Sequence, residues 1–168
     1  MMDEFDLTCT NSRNERPRKT EAIRRQAAEE LVALMVRDGA IQSKHADTSV
    51  LDIVKVTRYG ADDGYRIAKA LDDSCGWDCD LDMAQHLDQF QDMVSKLVER
   101  AEKQWAQFNP REPEFASGAP VIWRGKPATV SRIHEHRPQC YELLRGEMPS
   151  NSFFVVPFED VTSPEVAP

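Results

Sequence analysis

Two cysteines, a few histidines and a run of aspartates are the residues of this chain whose types and spacing could do chemistry. Cys75 and Cys79 stand with three residues between them in Ser74-Cys75-Gly76-Trp77-Asp78-Cys79-Asp80, and His86 follows. Thiolate and imidazole both ligate zinc, so Cys75, Cys79 and His86 are the candidate metal donors. A tetrahedral site needs a fourth ligand, for which Asp80, His134, His136 and Cys140 compete, and no second pair repeats the spacing. The competing reading is a turn between two helices with its thiols packed beneath Trp77, because free cysteine is commonly a small buried hydrophobe. We expect that second arrangement and no cofactor. His134 and His136 would share one side of a continuing strand and could assist proton transfer there. Pro138 ends such a strand, so a polar hairpin loop is expected instead. No Walker loop, nucleophile elbow, His-Glu-x-x-His or dinucleotide fingerprint occurs. An enzyme is not expected.

The aspartates carry a different signal. Between Asp62 and Asp92, nine of them face only Arg66 and Lys69, so this stretch has net charge −7. It reads as amphipathic helices around the turn at residues 74–79. A helix–turn–helix that reads DNA turns cations toward the phosphates, whereas the second helix here begins Asp80-Leu81-Asp82. Carboxylates spaced along a rigid helix suit a cationic protein surface instead. The expected binding residues are Asp72, Asp73, Asp78, Asp80, Asp82, Asp88 and Asp92, with Trp77 as apolar anchor. The alternative is that these acids only keep a helical bundle soluble.

With 168 residues, of which 40% are hydrophobic and 30% charged, the chain can bury a real core in one domain or two small ones. A net charge of −8 argues against general affinity for nucleic acid or anionic lipid. No apolar run reaches the roughly 20 residues a bilayer span needs. The start, Met1-Met2-Asp3-Glu4-Phe5-Asp6, has no signal-peptide character, and the four cysteines are irregularly spaced. A cytoplasmic protein with reduced thiols is expected.

The elements that must position these residues follow from proline and periodicity. Pro17 apart, every proline lies from Pro110 onward, which predicts a helical first part and a β-rich second part. The expected organisation is a basic mobile arm at 1–19 (Arg13, Arg16, Arg18, Lys19), an acidic helical domain at 20–109, a linker at 110–114 and a small β domain at 115–168. Thr20 caps a helix to Asp38 carrying Ile23, Ala27, Leu31, Leu34 and Met35 on one face, closed by Gly39. A helix is expected at about 48–58, although its β-branched residues also suit a strand. Another covers about 61–73. The last and longest runs from Asp80 to Phe108, with Met83, Leu87, Phe90, Val94, Leu97, Ala101, Trp105 and Phe108 as an apolar stripe. That stripe suits a core or a homodimer seam. Asp88, Asp92, Glu99 and Glu102 fall on another face as a carboxylate ridge.

Beyond the linker, segments at 120–124, 127–133, 139–145 and 152–156 read as short strands, with a turn at Gly125-Lys126. The order of Gly118, a strand with Trp123, a turn, Ala128-Thr129-Val130 and the closing Val156-Pro157-Phe158-Glu159-Asp160-Val161 resembles small SH3-like barrels. The fold class expected is therefore α+β, about four helices, one of them long, followed by a small antiparallel SH3-like barrel. From Pro120 to Gly146, five cations (Arg124, Lys126, Arg132, Arg137, Arg145) exceed Glu135 and Glu142, and Trp123 and Tyr141 are interleaved. These residues could bind nucleic acid or rest against acidic helices.

The segment Asp63-Gly64-Tyr65-Arg66-Ile67-Ala68-Lys69-Ala70-Leu71-Asp72, with Gly76-Trp77-Asp78 and Leu87-Asp88, is similar to uncharacterised proteins of phages and prophages. The resemblance implies no activity and favours an accessory role. The function expected is a non-catalytic binding protein whose acidic helical face blocks a cationic, nucleic-acid-binding surface of a host protein, such as a CRISPR or other defence complex. The alternative is a regulatory nucleic-acid binder that uses the basic arm and the barrel hairpin.

Overall fold

The computed structural model describes residues 15–58, 63–146 and 152–164. It is α+β: helices come first, then a five-stranded antiparallel sheet curled into a half-barrel. One compact unit ends at Ala101 and a second begins at Glu102. No helix among the described residues is long and apolar enough to cross a membrane.

In the first unit, α1 (Glu21–Arg37) starts where Thr20 Oγ1 accepts the Ile23 N–H. Ile23, Ala27, Leu31 and Met35, each one turn beyond the last, are fully buried. Gly39, at φ +80°, supplies the left-handed exit, and the Ala40 N–H closes on the Met35 carbonyl at 2.8 Å. A 3₁₀ turn at Ser43–His45 leads into α2 (Ala46–Thr57). The β-branched residues of α2 form a helix because Val50, Ile53 and Val56 recur at three-residue steps and bury together. Thr57 Oγ1 donates to the Ile53 carbonyl at 2.7 Å, which satisfies a buried hydroxyl. Asp63 caps α3 (Gly64–Cys75), whose Ile67, Ala68 and Leu71 face the core.

The expected single helix from Asp80 to Phe108 is interrupted. Asp80 caps α4 (Leu81–Asp88), and α5 (Phe90–Phe108) follows after Gln89. The Gln89 N–H reaches the His86 and Leu87 carbonyls, a tightened turn that ends the regular ladder. The apolar stripe continues across the break, with Leu87, Phe90, Val94, Leu97 and Val98 in the first core.

The second unit contains the end of α5 together with β1 (Pro120–Trp123), β2 (Lys126–Ile133), β3 (Cys140–Leu144), β4 (Phe154–Pro157) and β5 (Val161–Thr162). The sheet order is β4-β3-β2-β1-β5, and a 3₁₀ turn at Phe158–Asp160 precedes β5. Trp123 pairs with Lys126, so the β1–β2 turn is Arg124-Gly125 rather than Gly125-Lys126. Both turn residues have positive φ (51° and 67°), the backbone of a type I′ hairpin. Val121, Val130, Tyr141, Leu143 and Val156 form the core.

Glu102 departs from the expected carboxylate ridge. It is 1% exposed, and Arg137, in the β2–β3 loop, grips it with Nε and Nη2 at 2.8 and 2.7 Å. Periodicity could not reveal this, because the partner cation lies 35 residues away in sequence. Beside it, Gln139 Nε2 donates to the Asn109 carbonyl at 2.7 Å and serves the end of α5.

Two changes test this packing. Gly64 is fully enclosed: a Cβ there would strike the Ala84 carbonyl oxygen and lie 2.7 Å from the Asp88 backbone nitrogen. Because backbone cannot step aside, Gly64→Ala is expected to lower stability by about 2–4 kcal/mol in a chemical denaturation series. Arg137→Ala removes a bidentate guanidinium from a buried carboxylate and is expected to cost about 3 kcal/mol by the same measurement.

Candidate protein-docking interface

The acidic stretch divides into two groups by what the carboxylates touch. Several hold backbone. Asp63 and Asp80 accept the Arg66 and Met83 N–H groups at 2.8 Å as helix caps. Asp72 accepts the Cys79 N–H at 2.9 Å, tying the end of α3 to the last part of the connection. Asp88 accepts the Gly64 N–H at 2.7 Å, clamping the start of α3 to the end of α4. Each carboxylate points at a helix N-terminus or loop amide, where negative charge is favoured. The others stand in solvent. Asp73 pairs with Lys69 at 3.5 Å, with both side chains 64% exposed, so the pair is screened and weak. Asp78, Asp82 and Asp92 are exposed, with no ion pair among the described residues.

The connection between α3 and α4 is built by left-handed Gly76 at φ +72°, whose N–H closes on the Leu71 carbonyl. Beyond it Trp77 is half-buried, and its indole N–H donates to Asp52 Oδ2 on α2 at 3.0 Å. Trp77 is therefore an anchor for its own fold, with part of its surface left at the rim of a concavity.

A groove of about 390 Å³ lies between α3 and α4. Asp72, Asp73 and Asp80 line it, together with Tyr65, Lys69 and Leu81. Tyr65 and Leu81 are each 74% exposed, among the most exposed large apolar side chains described. Of the expected binding residues, then, Asp72, Asp73 and Asp80 come together. Asp78 and Trp77 line a second concavity on the other side of the connection. Asp82, Asp88 and Asp92 line neither.

Tyr65, Leu81 and Asp52 are not among the binding residues expected from sequence. Tyr65 and Leu81 did leave a signal. Each stands six residues before a buried leucine, Leu71 or Leu87, which puts it about 120° around its helix from that core position. Asp52 left none, because its meeting with Trp77 is tertiary.

Cys75, Cys79 and His86 belong to no cluster of possible metal ligands among the described residues. Among the described residues no three of His, Cys, Asp and Glu converge on one point. Burial and the nearby Asp72 push the Cys79 thiol up to about 12. Burial and Asp52 also raise Cys75, against the opposing pull of Lys55. His86 is half-buried, and its Nδ1 has no hydrogen-bond partner among the described residues. In the β2–β3 loop, His134 Nδ1 accepts the His136 and Arg137 N–H groups at 3.2 and 2.9 Å, so this histidine shapes a turn. Cys140 is buried.

No protein-family model matches the sequence, and neither a curated protein nor a solved structure matches it.

A thiol with its pKa raised from 9.0 to about 12 is almost wholly protonated at pH 8. The smaller thiolate fraction outweighs the gain in intrinsic nucleophilicity, so Cys79 should alkylate roughly 50–100 times more slowly than a cysteine in a short peptide. Mass-resolved iodoacetamide labelling of the folded chain measures this. For stability the sign is that of a raised pKa: Cys79 contributes fully below pH 9, and its contribution is lost as pH rises toward about 12.

Proposed function

We propose that this chain is a non-catalytic binding protein whose α3–α4 face docks on a cationic surface of another protein. The observation that carries the reading is the groove in which two solvent-exposed apolar side chains, Tyr65 and Leu81, are set among Asp72, Asp73 and Asp80. A large apolar side chain left three-quarters exposed gains by desolvation on contact, and flanking carboxylates choose partners of opposite charge. A tyrosine beside a leucine with an anionic rim is the composition of a small interface: apolar at the centre, polar at the edge. The carboxylates that grip backbone are already immobilised, so less side-chain entropy is lost on binding.

A surface that ordinarily holds nucleic acid is the partner class that fits this charge, and occupying it would exclude its ligand by competition. Within that class, the similarity to phage proteins favours a defence complex of the host cell, with the chain acting as its inhibitor.

The sheet supports a scaffold role in the same reading. Its order, with the last strand beside the first and a 3₁₀ turn before it, favours an SH3-like barrel. The nucleic-acid alternative draws less support from this part. Arg132 is paired with Glu142 at 2.8 Å and Arg137 with Glu102. Arg145 lies 4.7 Å from the Trp123 ring centre and donates to the Trp123 carbonyl. Of the arm, Arg13 lies outside the described residues.

The test is capture from a bacterial lysate on the immobilised chain, compared with a Tyr65→Ala/Leu81→Ala/Asp73→Lys variant. These positions are exposed, so the variant should melt like the parent. A protein retained at about 0.1 M salt and released near 0.5 M is expected, at least tenfold depleted on the variant resin. Retention that is unchanged by the triple substitution would refute the docking face. A mobility shift of DNA or RNA by the free chain at about 0.1 M salt would favour the nucleic-acid reading.

A further inference from the structure

The connection from Gly76 to Asp80 separates the α3–α4 groove from a concavity of about 420 Å³. Ala40, Ile41 and Met83 give this concavity apolar lining, while Asp52, Trp77 and Asp78 add an aromatic ring and two carboxylates. Its size falls in the usual range for ligand sites, about 300–1,000 Å³, and the mix of apolar lining with a few convergent polar groups is typical of them. The indole N–H of Trp77 is held at 3.0 Å by Asp52 Oδ2, so ring and carboxylate are fixed as a unit before any ligand arrives. Asp78 is exposed and has no ion pair among the described residues. Of the basic side chains nearby, Lys55 reaches Ser74 O at 3.5 Å and Cys75 Sγ at 3.9 Å, and the imidazole of His45 lines the concavity. Lys55, on the last turn of α2, extends toward the end of α3 and does not line the cavity.

An indole beside carboxylates is a receptor for organic cations. A guanidinium suits it better than an ammonium, because its plane can stack on the ring while its forked donors reach carboxylate oxygens. A guanidinium is also more weakly hydrated and loses less on entering an apolar-lined pocket. We propose that this pocket receives an arginine side chain of the basic partner. The inference rests on the docking reading and extends it: one face of the connection meets the partner's apolar and cationic surface, and the other takes a single arginine.

The probe is Nα-acetylarginine amide, titrated into the ¹⁵N-labelled full chain and followed at the Trp77 indole N–H, which Trp77→Phe identifies. Trp105 and Trp123 serve as internal references. A saturable shift of the Trp77 signal alone is expected, with a dissociation constant on the order of millimolar. The lysine analogue should bind at least fivefold more weakly, and the neutral citrulline analogue should give no shift. Asp78→Asn should weaken the arginine response several-fold while leaving the Trp105 and Trp123 signals in place. An equal response to citrulline or lysine, or no movement of Trp77 at about 100 mM arginine amide, would overturn the proposal. Saturable arginine binding in a chain that captures no partner would keep the pocket and remove the docking reading. Capture by the α3–α4 face with an unresponsive Trp77 would remove the pocket alone.

Discussion

The close approach of α3 to α4 is the constraint on which the site depends. Gly64, the first residue of α3, lies against the backbone of Ala84 and Asp88, and its N–H is held by the Asp88 carboxylate. No other residue type fits that contact without moving backbone, so the two helices can meet there only because the side chain is a hydrogen atom. The near end being pinned, the far end is closed by left-handed Gly76, by Asp72 on the Cys79 N–H and by the Asp80 cap. Together these contacts fix the separation of the helices, hence the groove between them and the seat of Trp77 against Asp52. Short acidic side chains do most of this work because they reach backbone amides at helix starts without long flexible stems.

It follows that the aspartates have two physical jobs that need not compete. A carboxylate bonded to an amide keeps its charge and loses its freedom. Asp72 and Asp80 therefore contribute to the negative field at the groove while holding it together. Asp88 is different: its carboxylate faces Gly64 and lines neither concavity, so substituting it would report on folding before binding. The exposed Asp78, Asp82 and Asp92 supply charge alone. The acidity of this segment is part framework and part surface.

Much of the fold was legible in the sequence. The cap at Thr20, the spacing of Ile23, Ala27, Leu31 and Met35, and the crowding of prolines after Asn109 each state a local preference that packing does not oppose. The strands and their turn residues were legible for the same reason, down to one residue at the Arg124-Gly125 turn. What sequence hid was tertiary. The break at Gln89 interrupts an apolar stripe that continues on both sides, so periodicity alone could not mark it. Glu102 looked like one more ridge carboxylate until Arg137 was brought to it from another element. Trp77 read as a free anchor because its partner, Asp52, lies on a different helix. Tyr65 and Leu81 were readable as apolar residues out of phase with their core neighbours, a signal weaker than the run of aspartates beside them.

In the second unit the arginines are largely engaged at home: Arg132 on Glu142, Arg137 on Glu102, Arg145 against Trp123. Three of the five cations that sequence counted there are thus engaged within their own unit, while Arg124 and Lys126 are exposed. The most direct test is hydrogen–deuterium exchange of the full chain with and without its captured partner. Docking through the α3–α4 face predicts new protection across Tyr65–Asp73 and Cys79–Ala84, fading as salt is raised. Protection confined to the sheet or to residues before Thr20, with the α3–α4 amides unchanged, would contradict it.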